Sequence, residues 1–169
     1  IAGFLAVLSG CSGKDQEISI PEDYSNWRRT VERDLDYMIP GHGDTVRRIF
    51  INDIGTEVEI TQEEGRDLYN YPEGTVIVKE HYSSQKAAEN KELESITAMI
   101  KTPQDPRARG EWIWLSKDPE TGKRQIFTQE FCITCHENAN EVHPYGDGNT
   151  EEEFRDYVFF PYSGVDLKD

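Results

Sequence analysis

Between Pro21 and Pro40 the apolar residues recur at intervals of three and four, at Tyr24, Trp27, Val31, Leu35 and Met38. That period predicts one amphipathic helix, with Pro21 near its start and Pro40 at its end. After a turn at PGHGDT the period drops to two. Arg47 to Asn52 reads as a strand that sends Arg47, Ile49 and Ile51 to one face. On the pattern alone Arg47 is a strand-end arginine reaching solvent. The clearest strand, Thr75–Tyr82, follows a turn at Tyr71–Gly74. Thr75, Ile77, Lys79 and His81 share one of its faces; Val76, Val78, Glu80 and Tyr82 share the other. The polar stretch SSQKAAENKE reads as an exposed linker. Leu93 to Lys101 then alternates, with Ser95, Thr97 and Met99 opposed to Glu94, Ile96, Ala98 and Ile100. Glu111–Ser116 is a short aromatic strand between a loop, TPQDPRARG, and a turn at Asp118–Gly122. Thr150–Glu153 has the form of a capping box opening one helical turn, and the aromatic segment Asp156–Tyr162 closes the pattern.

The leading residues break this regime. IAGFLAVLSGC is an apolar run of small and branched residues that looks like the end of a bacterial lipoprotein signal peptide. Cleavage before Cys11 would make it the lipidated first residue, anchored by acyl chains, because the run is too short to span a bilayer. Ser12 in place of aspartate points to the outer membrane, on its periplasmic side. The expected division is residues 1–11 as signal end, 12–19 as tether and 20–169 as a single domain.

Charge narrows the partners. A formal net charge of −15 argues against nucleic acid and against direct contact with an anionic membrane surface. It is compatible with a basic redox partner protein and with a small neutral or cationic substrate. Membrane association is expected only through the lipid at Cys11.

The chemistry is concentrated in one stretch, CITCH at Cys132–His136. Two cysteines three apart, followed at once by histidine, form the attachment signature of a covalent c-type haem. On a helix Cys132 and Cys135 share a face, where both thiols can bond the haem vinyl groups, and His136 lies over the same face to ligate the iron. A structural zinc site would normally call for four Cys or His ligands in recognisable spacing, and no second CxxC exists. One haem c, held by Cys132 and Cys135 with His136 as its metal ligand, is therefore expected. The motif lies late in a chain rich in strand patterns, and neither Met38 nor Met99 follows it. The expected fold is α+β: an antiparallel sheet-rich single domain with an N-terminal amphipathic helix and a C-terminal haem-bearing helix.

Several blocks, in order, resemble the cytochrome P-460 family and its relatives, the beta-type cytochromes c-prime: IPEDYSNW, VRRIFIN, YPEGTVIVKE, GEWIW, and CITCHENAN followed by DYVFFPY. The resemblance implies His136 as proximal ligand and an iron left open, or holding water, on its other side. It places Lys79 at the lysine that bonds a porphyrin meso carbon, and it makes Arg47 the distal arginine rather than a surface residue. At the position of the family's distal carboxylate stands Thr97, which has no useful basicity. Since hydroxylamine oxidation must shed protons as well as electrons, this departure bears on function. Glu94 could replace the carboxylate only through a register change. His42 and His81, each read as a surface histidine, are substitutes with suitable pKa. The insertion EVHPYGDGNTEEEFR also departs from the family.

The resemblance implies a haem protein whose open site, with Arg47, Lys79 and Thr97 around it, handles small nitrogen compounds, by oxidising hydroxylamine to nitrogen oxides or by handling nitric oxide. Two other readings stay open: a non-catalytic five-coordinate gas-binding cytochrome, and a six-coordinate electron-transfer cytochrome. A homodimer is in keeping with the family and with the exposed strand edges.

Overall fold

The computed structural model describes residues 18–164. The strands are β1 (Arg28–Arg29), β2 (Val46–Ile51), β3 (Glu59–Glu63), β4 (Arg66–Asn70), β5 (Val76–Tyr82), β6 (Ser95–Lys101), β7 (Trp112–Lys117) and β8 (Arg124–Phe127). Six of them form one sheet in the order β1-β2-β5-β6-β7-β8, antiparallel throughout; β3 and β4 pair apart as a hairpin. Three short helices, α1 (Asp53–Thr56), α2 (Gln85–Asn90) and α3 (Phe131–His136), connect or follow the strands. The architecture is thus the sheet-rich α+β domain that the alternating patterns predict.

Both faces of the sheet are covered, which is why nearly every residue of β5 is buried. On one face Val76, Val78, Ile96, Ala98, Ile100, Ile113 and Leu115 pack with Phe50, closed over by Ile20 and Tyr24. On the other, Ile51, Ile77, Met99, Trp112 and Trp114 pack against Tyr71, Ile133 and Val158 from the surrounding chain. Alternation does the sorting: a one-residue slip would exchange the two sets.

The N-terminal helix is not formed. Residues 21–38 instead contain a single 3-10 turn at Tyr24–Asn26 and the short β1, and Trp27 turns extended with ψ 170°. The apolar residues do turn inward, since Tyr24, Val31 and Leu35 are buried, but Met38 is 71% exposed. The backbone finds its partners outside itself. Thr30 N–H donates to Ile49 O at 3.0 Å, and Leu35 and Arg47 exchange amide hydrogen bonds at 3.0 and 2.9 Å. The segment thereby covers what would otherwise be the open edge of β2, a stronger claim on its amides than a marginal isolated helix.

Two smaller expectations are also corrected. The SSQKAAENKE linker contains α2, capped by Ser84 accepting from Ala87 N–H at 3.1 Å, with Ala87 and Ala88 buried. Thr150–Glu153 forms no helical turn. Asn149 organises that stretch, accepting from Glu153 N–H at 3.0 Å and donating to Ala139 O at 2.9 Å. The aromatic C-terminal segment is irregular and fastened to the sheet by Asp156, which takes two hydrogen bonds from the Lys101 ammonium at 2.9 and 2.7 Å and one from Trp112 Nε1 at 3.1 Å. Cys11, the expected signal end and most of the tether lie outside the described residues. Among the described residues no helix is long and apolar enough to cross a membrane.

Candidate functional site

Helix α3 carries Cys132, Cys135 and His136, spaced i, i+3, i+4, and these side chains line one wall of a cavity of about 230 Å³. The opposite wall is the sheet, contributing Ile77 and Lys79 from β5, Thr97 and Met99 from β6, Trp114 from β7 and Phe127 from β8. Pro40, Gly41 and His42, in the loop before β2, complete it with Phe131. Both cysteines are free thiols, and burial pushes the Cys132 thiol up from its ordinary pKa.

His136 is fixed on three sides. Its Nδ1 lies 2.8 Å from Tyr157 O; a carbonyl only accepts, so Nδ1 carries the proton and Nε2 keeps its lone pair. Trp114 and Phe159 pack edgewise on the ring with centroids 4.6 and 5.2 Å away. Tyr157 presents its carbonyl from an unusual turn: Asp156 and Tyr157 are both left-handed, with φ 49° and 68°. Burial above all, then the nearby Lys79 charge, pushes the His136 pKa down to about 3. A neutral imidazole oriented through its other nitrogen is the form that binds a metal ion.

Strand register sets the facing wall. Ile49, Lys79, Thr97 and Ser116 lie in one row across β2, β5, β6 and β7; Ile51, Ile77, Met99, Trp114 and Phe127 lie in the next, extended to β8. The Lys79 amine thus enters an apolar setting. Burial, and secondarily the Arg47 charge, pushes its pKa down to about 7. No carboxylate among the described residues pairs with it. Its polar neighbour is His42 Nε2, 3.3 Å away.

Arg47 is 1% exposed, which rules out the solvent-reaching arginine of the strand pattern. It stands beside His81 in the row behind Lys79, away from the residues lining the cavity. Its guanidinium lies over the Tyr37 ring, 4.8 Å from the centroid, and donates to the carbonyls of Tyr37 and Leu35. Its Nη1 is buried with no hydrogen-bond partner.

The two histidines read as surface residues belong to the site. His42 and His81 stack with centroids 5.5 Å apart and planes 15° off parallel, and His42 also meets the His136 ring edgewise at 6.1 Å. His81 Nε2 lies 3.0 Å from Thr97 Oγ1. Burial first, then the Lys79 charge, pushes the pKa of His42 down to about 2 and that of His81 to about 3. His81 sits in β5 at the same parity as Lys79, which was the available signal; His42 comes from a loop and carried none. Glu94 lies outside β6, exposed, in a separate cleft on the far side of His42 and Thr97. The register therefore leaves Thr97 opposite Lys79, with no carboxylate in the cavity lining.

The donor set fits a c-type haem: two thiols and one neutral imidazole on a single helix, facing an apolar cavity. The buried Arg47, with a free donor and no carboxylate partner among the described residues, would balance an anionic group. No cluster of three or more His, Cys, Asp or Glu residues able to hold a bare metal ion occurs among the described residues. In comparison with known proteins, the family model for Cytochrome P460 matches residues 21–160. No curated protein matches the chain.

Proposed function

The chain belongs to the Cytochrome P460 family, and from that premise we propose that it is a periplasmic, lipid-anchored monohaem c-type cytochrome that oxidises hydroxylamine. Cys132 and Cys135 would hold the haem through thioether bonds and His136 would ligate its iron through Nε2. The carrying observation is the arrangement of α3 opposite Lys79 across one apolar cavity. The haem supplies the redox chemistry when bound. The protein supplies the rest. Trp114, Met99, Ile77 and Phe127 exclude water, and Tyr157 O holds the proximal imidazole in one orientation. Arg47 contributes positive charge behind the distal side. Lys79, at the family's cross-linking position, has its pKa pushed down to about 7, so a substantial share of its amine is unprotonated near neutral pH, as a nucleophilic amine must be. Electrons would pass to a redox partner protein.

Intact mass and an optical spectrum of the protein matured with periplasmic haem attachment test this, together with hydroxylamine-dependent reduction of an artificial acceptor. One haem mass, an added bond at Lys79 and turnover are expected. A protein that takes up no haem covalently, or turns over no hydroxylamine, overturns the proposal. One observation favours a second reading: Thr97, where the family has a carboxylate, cannot act as a base at neutral pH. A binder of nitric oxide or carbon monoxide needs no base. It would bind the gas, show a five-coordinate ferric spectrum and fail to turn over. A low-spin ferric spectrum would instead select a six-coordinate electron-transfer protein.

A further inference from the structure

The contacts behind Thr97 determine which way its hydroxyl points. Thr45 Oγ1 lies 3.1 Å from His42 O and 3.3 Å from His81 Nδ1. A hydroxyl has one proton, and a backbone carbonyl can only accept. If Thr45 gave its proton to His81, its oxygen would face the His42 carbonyl as acceptor against acceptor. Thr45 therefore donates to His42 O and accepts from His81 Nδ1–H. A neutral imidazole has a single N–H, so His81 Nε2 holds a lone pair. At 3.0 Å from it, Thr97 Oγ1 must be the donor. The chain runs one way: Thr97 to His81, His81 to Thr45, Thr45 to the backbone. The burial of His81 beside the charges of Lys79 and Arg47 keeps it neutral, as this chain requires.

We propose that Thr97 meets a ligand in the cavity only as a hydrogen-bond acceptor, with His81 as its positioning residue, so that the site selects small molecules bearing N–H or O–H hydrogens over diatomic gases that have none. The proposal rests on the hydroxylamine reading and names what in this chain favours that substrate class. A threonine free to rotate would donate to a bound gas as readily as accept from an amine. Here its proton is committed to His81, and only oxygen lone pairs remain for the cavity. Lys79 keeps N–H donors beyond its contact with His42 Nε2, but it is the same in every Thr97 and His81 variant and cancels from their comparison. A residue with no basicity can thus still discriminate by hydrogen-bond polarity.

The test measures affinities of the ferric holoprotein for hydroxylamine, without an electron acceptor, and for nitric oxide. The readout is their ratio, from which whatever both ligands displace cancels. Thr97→Val, nearly isosteric, should shift the ratio against hydroxylamine by about three- to tenfold, as for one neutral hydrogen bond, and Thr97→Ser should restore it. His81→Leu, which frees the Thr97 proton, should shift it in the same direction as Thr97→Val. An independent check is the nitrogen NMR of His81 in the diamagnetic ferrous carbonyl form, where the proton is expected on Nδ1. A proton on Nε2, or a ratio unchanged in Thr97→Val, overturns this inference and leaves the hydroxylamine reading standing. A wild-type holoprotein that does not bind hydroxylamine overturns both.

Discussion

Lys79 and Lys101 sit on the same face of the same sheet, on neighbouring strands, and their surroundings are opposite. The Lys101 ammonium bonds both oxygens of Asp156, meets Glu111 at 3.0 Å and lies 5.1 Å from the centre of the Trp112 ring. The Lys79 amine has an imidazole and apolar walls. A buried charge with complete partners holds structure together, here the C-terminal segment that orients His136. A buried amine without a carboxylate gives up its proton instead and becomes available for chemistry. The difference separates a residue that builds the site from one whose amine is left open to chemistry.

Breaking the paired end should cost the most. Lys101→Met strands the Asp156 carboxylate in the interior, and a loss of about 3–5 kcal/mol of unfolding free energy is expected by denaturant titration. Trp112→Phe removes one donor to the same carboxylate and part of a buried ring; about 2 kcal/mol should be lost in the same assay.

The unpaired end should respond to pH instead. Lys79 has a folded-state pKa of about 7, below its ordinary 10.5, so between these values the unfolded chain binds more protons than the folded one. In protein kept free of haem, where the amine is unbonded, this residue makes stability rise from pH 7 towards 10.5, by no more than about 1.4 kcal/mol per pH unit. The contribution is lost as pH falls through about 7. Lys79→Met should flatten that part of the profile; an unchanged slope would deny the amine its depressed pKa. Smallest of all, Glu111→Gln removes a partner that is largely exposed, and under about 1 kcal/mol should be lost.

The sequence made the two lysines legible to different degrees. Lys79 could be placed because β5 alternates cleanly between two buried faces, and parity alone puts it with Ile77 and His81. The motif spacing gave the thiols and His136 a common face of α3. Alternation in β6 set Thr97 on one face with Ser95 and Met99, as the register has it, whereas its place at the family's carboxylate position came from the resemblance. Lys101 gave no sign of its role, since Asp156 lies 55 residues away in a segment with no periodic pattern. The N-terminal stretch misled because spacings of three and four also arise when an irregular segment lays its apolar residues on a neighbour. The β3–β4 hairpin escaped notice for want of an apolar face: all five β3 residues are exposed. His42 was named as a substitute base yet read as a surface residue, because loops carry no period from which a direction could be inferred.

All six strands of the main sheet precede α3 in the chain. Synthesis runs from the amino end. The strands bearing Lys79, Thr97 and Trp114 therefore emerge ahead of Cys132, and those from β5 to β8 pair in simple succession. The residues that follow, from Cys132 to Tyr157, bring the thiols, the imidazole and the carbonyl that steers it. Assembly then has a built-in chronology: the strands of the receptacle come first and the clasp afterwards, so that a prosthetic group attached to the clasp would meet strands already present to receive it.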